Sequence, residues 1–165
     1  MPCKSADTQA PKPSLPHIYI DADACPVRDE VYKVAERHDV PVTVVANSFI
    51  RIPRHPLFKS MIVSDSFDAA DDYIAERADP KSVVITSDIL LADRCLKAGA
   101  KAVAPNGKMW TDDSIGNAIA VRAIMADLRA GADQPNLGGP APFSARDRSM
   151  FLQSLHEAVL KLKRG

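Results

Sequence analysis

Apolar positions along this chain follow two rhythms. Short, nearly unbroken runs at Ile18-Tyr19-Ile20, Val42-Thr43-Val44-Val45-Ala46, Met61-Ile62-Val63, Ser82-Val83-Val84-Ile85-Thr86 and Ala102-Val103-Ala104 suit parallel strands covered on both faces, which are apolar throughout rather than alternating. Between and after them the spacing turns helical. Val27, Val31, Val34 and Ala35 give one apolar stripe, ended by Asp39 and Pro41, and Ala69, Ala70, Tyr73 and Ile74 give a second within Asp68 to Arg77, broken by Asp79-Pro80. Ile89 to Lys97 is a third, with Gly99 as its C′ residue. A longer helix starts at Asp113 or Ser114 and runs to about Arg129, with Ile115, Ile119, Val121, Ile124, Met125 and Leu128 available for burial. The last, from Ser144 or Ala145 to Lys163, offers Phe151, Leu152, Leu155, Val159 and Leu162. Strands alternating with helices predict an α/β fold, a three-layer sandwich whose mostly parallel central sheet carries helices on both faces.

Two stretches resist regular structure. Phe49 to Pro56 holds two prolines and a cluster of bases without acids, and Gln134 to Phe143 is rich in proline and glycine. Residues 1–16, with Pro2, Pro11, Pro13 and Pro16 among polar neighbours and no apolar centre, read as a disordered leader and not as a signal peptide. Residues 17–165 then form one domain, a size that a 46% apolar composition fills without staples. Three scattered cysteines fit neither a zinc pattern nor a disulfide framework. With no run long enough to span a membrane, the expected place is the cytoplasm. Net charge is zero, so bulk electrostatics names no partner.

Candidate chemistry lies where strands end. Asp21 and Asp23 close the first run, Asp65 follows the third and Asp88 the fourth, while Asp68, Asp71, Asp72 and Asp93 lie on the helices that follow. Strand ends of a parallel sheet share one edge, so these groups can converge without being adjacent in sequence. Close carboxylates repel unless a cation or proton offsets them. Hard oxygen donors with few histidines suit Mg²⁺ or Mn²⁺ rather than zinc, and such ions serve phosphoryl chemistry. Asp21, Asp23 and Asp88 are the expected catalytic set. The expected metal set is Asp21, Asp23, Asp72, Asp88 and Asp93, with one of Asp71 and Asp72 facing the site. Each has a plainer reading: Asp23 or Asp68 as a helix cap, Asp65 in a turn, Asp93 solvated. A haloacid-dehalogenase-like order is disfavoured because Asp71-Asp72 precedes Thr86-Ser87. Cys25 reads as a packed residue more readily than as a nucleophile, and no strand is followed by the Gly-rich turn of a dinucleotide site.

The run from Ile18 through Asp21-Ala22-Asp23-Ala24-Cys25-Pro26-Val27 is similar to the opening of the YaiI/YqxD family of uncharacterised bacterial proteins. Val45-Ala46-Asn47-Ser48-Phe49-Ile50-Arg51, Ala70-Asp71-Asp72-Tyr73-Ile74, Thr86-Ser87-Asp88 through Asp93, Gly138-Gly139-Pro140, Phe143 and Arg146-Asp147-Arg148 also resemble it. Leu90 departs from the proline associated with its position. The family is grouped with PIN-like domains, metal-dependent nucleases with acids at strand ends. The resemblance implies Asp21 as the first such aspartate, Asp71 or Asp72 as the helix acid, and Asp88 with Asp93 as the late pair. The expectation is therefore a metal-dependent nuclease acting on single-stranded RNA. Asn47 and Ser48 would meet a phosphate, Arg51, Arg54 and Lys59 the strand's backbone, and Arg146 or Arg148 would be carried towards the acidic edge. Phe49 would either stack on a base or anchor its loop. The alternative is a non-catalytic nucleic-acid or nucleotide-binding module on the same fold, with a phosphatase third.

Overall fold

A computed structural model describes residues 15–22, 25–66, 68–131 and 143–164. In chain order the elements are β1 (His17–Asp21), α1 (Arg28–His38), β2 (Val42–Ala46), β3 (Phe58–Ile62), α2 (Ala69–Arg77), β4 (Ser82–Ile85), α3 (Ile89–Lys97), β5 (Lys101–Val103), α4 (Asp112–Gly131) and α5 (Ala145–Arg164). The five strands form one sheet in the order β3-β2-β1-β4-β5, and every pairing is parallel. Chain order reverses between β1 and β4, and the crevice outside the carboxyl ends at such a reversal is where open α/β sheets bind ligands.

Strand alternation divides the core between the two faces. Ile18, Ile20, Val42, Val44, Val83 and Ile85 pack with Val31 and Val34 of α1 and with Phe151, Leu155 and Val159 of α5. Tyr19, Val45 and Val84 point the other way, onto Ile74 of α2 and Leu91 and Cys95 of α3. Asp21, two residues beyond Tyr19, inherits the face covered by α2 and α3. α5 starts where its sequence stops it from starting earlier. Ser144 N–H donates to Asp147 Oδ2 at 3.0 Å and Asp147 N–H to Ser144 Oγ at 3.2 Å, a reciprocal capping box.

Three expectations need correction. The third strand is Phe58–Ile62 instead of Met61-Ile62-Val63: as an edge strand it buries only Phe58, so its first residues lack the unbroken apolar run of a strand covered on both faces. α1 begins at Arg28, so Val27, the first residue of the expected stripe, stands at its N-cap instead of inside it. α4 buries Ile115 alone among the large apolar residues expected to be covered; Ile119, Val121, Ile124 and Leu128 are exposed. The expected leader lies outside the described residues except Leu15 and Pro16, as does the irregular stretch before Phe143. No helix among the described residues is long and apolar enough to cross a membrane.

The turn between β5 and α4 is pinned under α5. Gly107 has φ +93°, and a Cβ there would lie 2.6 Å from the carbonyl carbon and 2.8 Å from the carbonyl oxygen of Met150. Gly107→Ala is therefore expected to cost about 2 kcal/mol or more, combining left-handed backbone strain with overpacking against backbone. Thermal denaturation should show a Tm several degrees lower; an unchanged Tm would mean that the turn is not held against α5.

Candidate active site

Asp21 closes β1 and is only 8% exposed. Its Oδ2 accepts a hydrogen bond from the Thr86 hydroxyl at 3.0 Å. The same hydroxyl accepts from Asp88 N–H at 2.9 Å, and the Thr86 carbonyl accepts from Trp110 Nε1 at 3.1 Å. Thr86 thus ties the ends of β1 and β4 to the loop before α4. No site role for Thr86 follows from its place at a strand's end; a β-branched hydroxyl two residues before an aspartate is the signal the sequence carries. Asp88 sits at the N-cap of α3, where its Oδ1 accepts from Leu90 N–H at 2.9 Å and Leu91 N–H at 3.1 Å. Asp68 occupies the N-cap position of α2 but makes no side-chain cap bond. The capping role expected of Asp68 is thus performed by Asp88 at the next helix.

Of the adjacent pair on α2, Asp71 lines the cleft. Ile74, the fully buried residue of α2, lies one turn on from Asp71, and residues three apart share a helix face. Asp72 is turned about 100° further round and accepts from Arg94 Nη1 at 2.9 Å on the surface. Asp93 pairs with Lys97 at 2.9 Å along α3 and is not among the cleft's lining residues. Asp23 lies outside the described residues. The cleft of about 270 Å³ therefore gathers Asp21, Asp71 and Asp88, facing Asn47, Ser48 and Ile50 beyond β2 and Ser66 before α2. Burial pushes the Asp71 carboxyl up to about 6; the negative charges of Asp88, Asp21 and Asp68 add to this and Arg94 opposes it.

The loop after β2 is anchored by Ile50, Ile52 and Leu57 against the larger core, with Arg51 and Arg54 exposed. Lys59 is exposed on β3. Phe49 is 80% exposed beside Asn47 and Ser48, so its role as a buried anchor is excluded and Ile50 does that work. Arg148 does not line the acidic cleft. Its Nη1 donates to the Pro26 carbonyl at 3.0 Å and to Glu30 Oε1 at 3.1 Å, which fixes the turn leading into α1. Arg146 is exposed on the first turn of α5. Burial raises the Cys25 thiol to about 11, which keeps it protonated at neutral pH and makes it a poor nucleophile.

Asp21, Asp71 and Asp88 are oxygen donors only, a set suited to a hard cation. Among the described residues no three of His, Cys, Asp or Glu stand close enough to hold a metal ion by themselves. That excludes a closed, all-protein cage from these residues. Mg²⁺ commonly keeps several of its waters and completes its shell with substrate phosphate, so an ion of that kind needs only one or two protein carboxylates.

No solved structure matches this chain. Sequence relatives are close. A UPF0178 protein of Sphingopyxis alaskensis is 60% identical over 152 residues, covering 92% of this chain and 98% of the relative. One from Rhodopseudomonas palustris strain TIE-1 is 57% identical over 151 residues, 92% of this chain and 94% of the relative. One from Nitrobacter winogradskyi is 54% identical over 148 residues, 90% and 93% respectively. The family model described as uncharacterized BCR, YaiI/YqxD family, matches residues 19–161. With nearly the whole described domain inside that match, the chain belongs to the YaiI/YqxD family.

Proposed function

We propose that this protein is a Mg²⁺- or Mn²⁺-dependent hydrolase of phosphodiester bonds, acting on single-stranded RNA. One observation carries the reading: carboxylates from β1, α2 and the end of β4 meet in one cleft at the point where strand order reverses. Burial first and the neighbouring negative charges second raise the Asp71 carboxyl, and a divalent cation is a ligand that would relieve both. The resemblance of the strand-end acids to PIN-like domains supports the same reading.

Asp21, oriented by the Thr86 hydroxyl, and Asp71 would hold the ion, with Asp88 offering what its capping duty leaves and Asp23 following β1. When bound, such an ion lowers the pKa of a water and stabilises charge on a phosphoryl group. The chain's own residues do the positioning. Asn47 and Ser48 face the carboxylates across the cleft, where amide and hydroxyl donors can hold a phosphate oxygen. Arg51 and Arg54 on the anchored loop would meet the backbone of an RNA strand, a contact that weakens as salt rises. Phe49 offers an exposed ring for base stacking.

The test is purified protein with labelled single-stranded RNA and Mn²⁺, alongside Asp21→Asn. Cleavage should fall by at least about 100-fold in the variant, since even outer-shell partners of a metal site commonly contribute about 10–100-fold. Cleavage that survives undiminished sinks the assignment. The second reading, a binding module without catalysis, is favoured by the commitment of Asp88 Oδ1 to the α3 cap. RNA binding without cleavage would install that reading instead.

A further inference from the structure

α4 carries more apolar surface than the described residues cover. From Ala118 to Leu128 it reads Ala-Ile-Ala-Val-Arg-Ala-Ile-Met-Ala-Asp-Leu, with only Arg122 and Asp127 charged. In a soluble protein, a helix apolar around its circumference is normally a buried one. Among the described residues its base is covered, where Ile115 packs on Ala92 and Ala102. Val121, Ile124 and Leu128 remain 56%, 57% and 52% exposed. An open apolar groove of about 630 Å³ lies beside that base, bounded by Pro105, Met109, Trp110, Phe143, Asn117 and Ala118. Asn117 and Ala118 belong to the same helical stripe as Val121, Ile124 and Leu128, so groove and exposed stripe form one continuous surface.

Outside the described residues the chain offers little large apolar surface: residues 1–14 contain one such side chain, Met1, and residues 132–142 contain one, Leu137, among three prolines and two glycines. A second copy offers a matching stripe. We propose that α4 is a self-association arm: the α4 of a second copy lies antiparallel along this stripe, and its Ile124 and Leu128 reach the groove at the base of the first. The arrangement is two-fold and closed, each copy giving and receiving the same contact. A parallel pairing would leave both grooves open. Charge does not oppose it, because the stripe's flanks carry one base and one acid and the chain's net charge is zero. Area favours it as well. The exposed stripe alone offers on the order of half the ~800 Å² per partner of a standard interface, and the groove adds to it. The contact is independent of the hydrolase reading.

Sedimentation velocity on the full chain from about 1 to 100 μM tests it. The wild type should sediment as a dimer at the upper concentrations. Ile124→Glu with Leu128→Glu should raise the dimer dissociation constant by about 100-fold or more, as central apolar anchors do, with the cooperative melt of the α/β body retained. The uncharged Leu128→Ala should weaken association by about 10-fold, which guards against misfolding of the double variant. Glu157→Lys, on the exposed side of α5, should leave the dimer unchanged. A wild type monomeric throughout the range overturns the proposal, as does a dimer indifferent to Ile124 and Leu128.

Discussion

Removing everything after Ala132 is expected to leave no cooperatively folded protein. α5 is the last element in the chain, yet it supplies Phe151, Leu155, Ala158, Val159 and Leu162 to the larger core, all buried. They cover Ile18, Ile20, Val83 and Ile85, the faces of the two central strands β1 and β4. At about 1.5–3 kcal/mol for each large side chain buried, the helix contributes on the order of 10 kcal/mol, comparable with the ~5–15 kcal/mol stability of a whole domain. Polar ties are lost with it: Lys81 Nζ donates to the Leu162 carbonyl at 2.8 Å, and Arg148 no longer holds Pro26 and Glu30. The truncated chain should lack a thermal transition and show collapsed amide dispersion by NMR. Phe151→Ala samples the same packing at one position and should cost about 3–5 kcal/mol. A truncation that melts cooperatively with dispersed amide signals would show that α5 is an accessory, not a wall of the core.

That dependence explains what could be read from sequence and what could not. β1, β2 and β4 were legible because each is sandwiched between helix layers, so nearly every residue of Ile18–Ile20, Val42–Val45 and Val83–Ile85 is apolar. β3 was only half legible: at the edge, Lys59 and Ser60 are exposed, and a strand covered on one side loses the unbroken run that marks the others. α4 shows the reverse limit. Its periodicity gave a helix correctly, but periodicity records that a face is apolar without saying whether this chain or another covers it.

The site was legible as a set of residue types and illegible in its assignments. Asp at a strand-to-helix junction serves equally as cap or ligand, and the backbone bonds that make Asp88 a cap while sparing Asp68 depend on the exact start of each helix. The choice between Asp71 and Asp72 rests on helical phase, which Ala70 and Ile74 on the apolar stripe carry in the sequence. Lys97 and Arg94 withdraw Asp93 and Asp72 by ion pairing. The i,i+4 spacing of the first pair was visible in the sequence, whereas the second joins different helices and was not. Phe49 lay beside Ile50 with nothing local to say which would turn inward.

Asp71→Asn should raise thermal stability above neutral pH in the absence of divalent ions and abolish stabilisation by Mn²⁺. The carboxyl titrates near 6 in the folded protein, above its ordinary value of 3.8, so between those limits the native state binds more protons than the unfolded chain. Stability therefore falls as pH rises through that window, and the loss persists at higher pH, where the carboxylate is ionised in both states. Because Asp71 is partly open to solvent, screening reduces the effect to on the order of 1 kcal/mol. Asparagine keeps the shape and removes the charge, so its Tm should exceed the wild type's at pH 8 and match it at pH 4. Mn²⁺ acts in the opposite sense. An ion that binds only the folded state stabilises it by mass action, and it must displace the Asp71 proton to do so. The wild-type Tm should thus rise with millimolar Mn²⁺ at pH 8, scarcely at pH 5, and hardly at all in Asp71→Asn. Asp72→Asn, which removes only a surface ion pair with Arg94, should follow the wild type in every condition. Denaturation scans at these pH values, with and without Mn²⁺, read both signs at once. A lower Tm for Asp71→Asn at pH 8 would mean that the carboxylate is held by partners instead of crowded by charge. Wild-type protein indifferent to Mn²⁺ would remove the ion from the site altogether.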